Sequence, residues 1–86
     1  MHQSSIAFLK QLLATPGPSG DEMAAGRVWR REAEIFADRV YADVRGSSFA
    51  VIEGGAPRVL LAGHIDEIGV MVSYIDDDGY LWFSPI

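Results

Sequence analysis

Val59-Leu60-Leu61-Ala62-Gly63-His64-Ile65-Asp66-Glu67-Ile68-Gly69 is the stretch on which the fold of this chain turns. Four apolar residues run into a glycine and then into His-x-Asp-Glu, the pattern by which a buried strand carries polar groups to the end of a sheet. Side chains alternate along a strand, so His64 and Asp66 share one side and Ile65 takes the other. A neutral imidazole binds a metal through one ring nitrogen and needs the other oriented by an acceptor, which a carboxylate two residues on can provide. Taken alone, such a pair is more often a hydrogen-bonded structural feature than a metal site. The other histidine is His2 and there is no cysteine, so a zinc site of nitrogen and sulfur ligands cannot be completed from this sequence by itself.

Working upstream, Arg58 to Ala62 is expected as the apolar strand and Gly54-Gly55-Ala56-Pro57 as the break before it. Arg39 to Val44 and Ser48 to Glu53 have an extended pattern around Arg45-Gly46-Ser47, which predicts a hairpin. Two helices precede it. The first is predicted to be capped by Ser4 or Ser5, to carry Ile6, Leu9, Leu12 and Leu13 on one stripe, and to stop near Ala14 before Pro16. The second is predicted to be capped by Ser19 or Asp21, with Ala25, Val28, Trp29, Glu32, Ile35 and Phe36 at helical spacing. Arg27, Arg30, Arg31 and Glu34 fall on its wetter face, and ion pairing with Glu32 and Glu34 is the expected use of the arginines. Between the helices, Gly17-Pro18-Ser19-Gly20 has the composition of a tight connection.

Downstream, Gly69 to Ile75 and Tyr80 to Phe83 form a second expected hairpin, joined through Asp76-Asp77-Asp78-Gly79. The acidic run lacks the alternating ligands and distal glutamate of a calcium loop, so a turn ending in glycine is the expectation.

The 86 residues suit one small domain with a modest core, and no apolar run is long enough to span a bilayer. Residues 1–52 carry six basic and six acidic side chains, so the formal charge of −5 arises from residues 53–86, where Arg58 stands alone against six acids. That balance leaves no basic patch for a phosphate backbone and makes nucleic acid an unsuitable partner. The absence of cysteine and of a basic segment leading into an apolar one makes the cytoplasm the expected location.

Leu12-Leu13, then Pro16-Gly17-Pro18-Ser19-Gly20 with Glu22, Trp29, Asp43-x-x-Gly46, His64-Ile65-Asp66-Glu67-Ile68-Gly69 and an Asp-Asp-Gly hairpin together resemble the N-terminal part of the glutamyl aminopeptidases. These are the TET-type dinuclear metallo-aminopeptidases of the forty-second metallopeptidase family, some of which carry cellulase or endoglucanase names. The likeness runs over essentially the whole sequence and departs at Gly46-Ser47-Ser48, where the family often has Gly-Asn. The resemblance implies that His64 is a metal ligand. It implies too that Asp66, counted as catalytic in the family, orients that histidine; no role is carried onto Glu67. The other ligands and the general-base glutamate of the family have no counterpart within these residues.

The implied fold is α/β: residues 1–68 as the N-terminal part of a mixed-sheet, helix-flanked catalytic domain, and residues 69–86 as the first strands of an inserted β-rich dimerisation domain. The implied activity is hydrolysis of N-terminal peptide bonds by two divalent ions, zinc or cobalt, with peptides bearing a free N-terminus as substrates and a homo-oligomer, a dimer or a larger cage, as the assembly. This segment alone is expected to bind at most one ion weakly and to be inactive. Two other possibilities stay open on the residues: a non-catalytic module that self-associates through its C-terminal strands, and a small α/β domain in which His64 and Asp66 merely satisfy each other.

Overall fold

The structure, a computed structural model, describes Met1–Ile86. Its elements in chain order are α1 (Gln3–Ala14), α2 (Met23–Ala33), β1 (Arg39–Ala42), β2 (Ser48–Val51), β3 (Val70–Ile75) and β4 (Leu81–Pro85). The strands form two separate antiparallel hairpins, β1 with β2 and β3 with β4. Helices and hairpins therefore fall where local sequence rules place them, in the expected α/β mixture.

Four helix details differ from expectation. The first helix begins at Gln3, with His2 at its N-cap and no side-chain cap bond, so Ser4 and Ser5 lie inside it. The second has Glu22 at its N-cap, again without a side-chain cap bond, and neither Ser19 nor Asp21 plays that part. It also ends at Ala33, which leaves Ile35 and Phe36 beyond it and exposed. The arginines do not pair with Glu32 or Glu34. Arg30 instead donates from Nη1 to Ser48 Oγ at 2.7 Å, tying the helix to the first hairpin, and Arg27 Nη2 rests 3.1 Å from Met23 Sδ.

The core is small. Ala25 and Ala33 are its buried apolar side chains, with Gly17 and Gly26 buried beside them. α2 packs on α1, β1 and β2, whereas β3 and β4 pack on each other and on no other element. The molecule is accordingly long and thin, 62 × 31 × 17 Å, with a radius of gyration of 17.2 Å, against about 12 Å for a compact domain of this length.

The expected strand from Arg58 to Ala62 is absent: the segment has no ladder partner. Val59, Leu60 and Leu61 are 79, 86 and 90% exposed. A strand is completed by its neighbours, and no other segment of these residues lies beside this one to pair with it. The apolar run retains the composition of a central strand but not its burial.

Candidate functional site

His64 and Asp66 do come together. The imidazole Nδ1 is 3.0 Å from Asp66 Oδ1 and 3.2 Å from the Asp66 carbonyl oxygen. Both neighbours are acceptors at neutral pH, so Nδ1 carries the proton and donates it. In the neutral ring the lone pair is thereby left on Nε2, on a side chain that is 86% exposed. The two side chains meet as expected even though the flanking strand does not form.

The support for this pair comes from the loop after α1. Ser19 Oγ donates to Asp66 Oδ2 at 2.6 Å. The Glu67 amide donates to the Gly17 carbonyl at 2.8 Å, and the Gly17 amide donates back to Glu67 Oε1 at 3.2 Å. Pro18 and Glu67 thus form a single parallel bridge between two segments some fifty residues apart. The loop is stiffened from within: the Asp21 amide bonds the Pro18 carbonyl at 2.8 Å, and the Gly20 amide bonds Glu22 Oε1 at 2.6 Å. Gly20 sits at φ +93°, where a side chain would be strained. Pro16-Gly17-Pro18-Ser19-Gly20 is therefore more than a helix connection; it is the mount on which His-x-Asp-Glu is held.

Two close approaches explain why glycine is used here. A Cβ on Gly17 would come within 3.2 Å of Ala25 Cβ, and one on Gly69 within 2.9 Å of Pro18 Cβ. The latter lets the start of the second hairpin lie against the loop, where the Ile86 amide also bonds the Gly69 carbonyl at 3.0 Å.

The Asp66 carboxyl is held below the ordinary carboxylate range, first by the Ser19 hydroxyl and next by the His64 ring. It is an ionised acceptor at neutral pH, suited to fixing an imidazole tautomer. No group of three or more His, Cys, Asp or Glu side chains is arranged to hold a metal ion. One imidazole nitrogen with an oriented partner is what these residues offer, and it is a donor type that suits zinc and cobalt.

Ser19 and Glu67 were not legible as site residues, because their contacts span 47 and 50 positions. The signal available in the sequence was the density of glycine and proline in the loop, which marks a fixed backbone without saying what it is fixed against. The acidic turn is what its sequence suggested. Asp76 Oδ1 accepts the amides of Asp78 and Tyr80, both at 3.0 Å, and Gly79 takes φ +87°.

The chain is similar to known proteins. The family model of the M42 glutamyl aminopeptidases matches residues 46–86, which include the His-x-Asp-Glu segment. A lysyl aminopeptidase of Pyrococcus furiosus is 40% identical over 80 residues, covering 92% of this chain and 23% of the relative. The crystal structure of a TET aminopeptidase from the marine sediment archaeon Thaumarchaeota archaeon SCGC AB-539-E09 superposes with a TM-score of 0.85 at 38% identity. That superposition covers 96% of this chain and 24% of that one. The chain thus spans about a quarter of the length of the relatives it matches. By the family model over residues 46–86 and a backbone path shared over 96% of the chain, these 86 residues are similar to part of the M42 glutamyl aminopeptidase domain.

Proposed function

We propose that this segment supplies the first metal-binding part of a metal-dependent aminopeptidase. The observation that carries the reading is the commitment of His64 Nδ1 to Asp66, with Nε2 bare and open to solvent. His64 would hold a divalent ion through Nε2, and Asp66 would keep the proton on Nδ1 and raise the basicity of the ring. The remaining ligands, and the base that takes a proton from water, would come from outside these residues. When bound, a pair of zinc or cobalt ions supplies a water acidic enough to attack a peptide carbonyl near neutral pH. The substrates would be peptides with a free N-terminus, and a cytoplasmic setting fits the cysteine-free sequence. No helix is long and apolar enough to cross a membrane.

Residues 1–68 would belong to the catalytic domain and 69–86 to the start of an inserted domain used for dimerisation and higher assembly. The isolation of β3 and β4 from every other element supports that boundary. It also supports a second reading, in which the segment acts as a non-catalytic module that self-associates through these strands. Val70, Met71, Tyr74, Trp82 and Phe83 are all more than half exposed, an apolar surface of the kind that marks an interface.

The test is a titration of the ¹⁵N-labelled chain with zinc, following the His64 ring nitrogens. Nε2 should shift and Nδ1 should keep its proton, and His64→Ala should remove the response. In a protein that carries this segment within the complete domain, His64→Ala should abolish peptidase activity at saturating metal. A retained rate there, or zinc binding unaffected by His64→Ala, would sink the assignment.

A further inference from the structure

We propose that Ser19 is a positioning residue for the metal-binding imidazole, acting through Asp66; this rests on the reading of His64 given above. The two oxygens of one carboxylate are divided between two donors, Oδ2 to Ser19 Oγ at 2.6 Å and Oδ1 to His64 Nδ1 at 3.0 Å. A carboxylate held at one oxygen only can turn about its last torsion, which is soft. Held at both, its plane is fixed, and with it the direction in which Oδ1 meets the ring.

The hydroxyl has no competing duty. Ser19 does not cap α2, whose N-cap is Glu22 without a side-chain bond, and the Gly20 amide is occupied by Glu22 Oε1. Its bond to Asp66 is the one side-chain hydrogen bond it makes. Nor is the contact a chance touch between free surfaces. The backbone on one side of Ser19 is clamped to Glu67 by the reciprocal Gly17 bonds, and on the other it is closed by the Asp21 to Pro18 turn. Ser19 is thus delivered by a loop anchored to the same segment that carries Asp66, an arrangement that holds a supporting group in place before any ion arrives. Without the hydroxyl, Nδ1 keeps the Asp66 carbonyl at 3.2 Å as an alternative acceptor, so the ring should loosen rather than detach.

The experiment uses the chain itself, ¹⁵N-labelled at histidine, at about pH 8.5 where an ordinary imidazole is neutral. Long-range proton–nitrogen spectra report the tautomer of His64, and zinc alone is the probe of Nε2. The wild type should be protonated at Nδ1. Ser19→Ala should raise the share of the Nε2-protonated ring and weaken zinc binding about 3- to 10-fold, below the 10- to 100-fold typical of losing a ligand's direct partner. Ser19→Thr and Ser19→Val are nearly equal in size and share any disturbance of packing. Ser19→Thr should behave like the wild type and Ser19→Val like Ser19→Ala.

Equal tautomer populations in the Thr and Val variants would overturn the proposal, as would a wild-type ring protonated at Nε2. Zinc that binds Nε2 with the same affinity in all four proteins leaves the metal reading standing and removes Ser19 from it. A tautomer that follows the hydroxyl while zinc never reaches Nε2 supports the positioning role and defeats the metal reading instead.

Discussion

The two hairpins are built from one local recipe and have opposite fates. In the first, Asp43 accepts the amides of Arg45 and Ser47 through Oδ1, its own amide bonds the Ser47 carbonyl, and Gly46 takes φ +90°. In the second, Asp76 accepts the amides of Asp78 and Tyr80, its amide bonds the Tyr80 carbonyl, and Gly79 takes φ +87°. Both are Asp-x-x-Gly turns that place a glycine in the left-handed region before the returning strand. Yet β1 and β2 pack on α2 through Arg30 and Ser48, whereas β3 and β4 touch no other element. A turn decides that a hairpin exists; the apolar surface on offer nearby decides whether it is covered.

The largest effect that would break this contrast is at Phe83, which faces Val72 across the second hairpin and is 59% exposed. If a second copy covers this surface, sedimentation of the wild-type chain should depend on concentration. Phe83→Lys should then weaken association at least tenfold, about 1.4 kcal/mol, because a lysine charge resists burial in an apolar contact. A wild-type chain that stays monomeric at every concentration removes self-association as the role of this face.

Next in size is Arg30→Ala. Water can replace part of this half-buried bond, so losing it costs about 1 kcal/mol, and the loss should fall on one hairpin alone. Amide hydrogen exchange should accelerate in β1 and β2 and stay unchanged in β3 and β4. Equal acceleration in both pairs would show that the hairpins are coupled despite the absence of packing between them.

The smallest effect concerns the turn that has an aromatic donor. The Asp76 carboxyl is held below the ordinary range, first by the Tyr80 amide and next by the Trp82 indole, whose Nε1 lies 3.1 Å from Oδ2. A lowered folded value means that the contribution of this carboxylate is complete above the ordinary range and is lost as pH falls through the folded value. Trp82→Phe should move the Asp76 carbon titration upward, so that the turn loosens at a higher pH while the first hairpin is untouched. An unmoved midpoint would assign the whole effect to the backbone amides.

What could be read from the sequence follows the range of the interactions. The helical spacing of Ile6, Leu9 and Leu12, and the Asp-x-x-Gly turns, depend on residues a few positions apart, and the elements they specify are present. The pairing of His64 with Asp66 was likewise legible, since the two lie only two positions apart. The absence of a strand from Arg58 to Ala62 was not, because composition alone does not say whether a neighbouring segment is there to pair with it. Ser19 looked like a helix cap for a similar reason. A hydroxyl before a helix is ambiguous until the distant carboxylate that competes for it is known.

Gly69 has no side chain, yet two unrelated demands meet on it. Adding one carbon there would press on the rigid ring of Pro18, the residue next to Ser19, and would reach Ile86, at the root of the second hairpin, at ordinary contact distance. The freedom of this position to vary is therefore not set by anything it does. It is borrowed from a histidine five residues upstream and from whatever the hairpin comes to touch, so a change tolerated by one can be vetoed by the other. A bare backbone position can in this way tie the loop behind one pair of side chains to the hairpin that follows it.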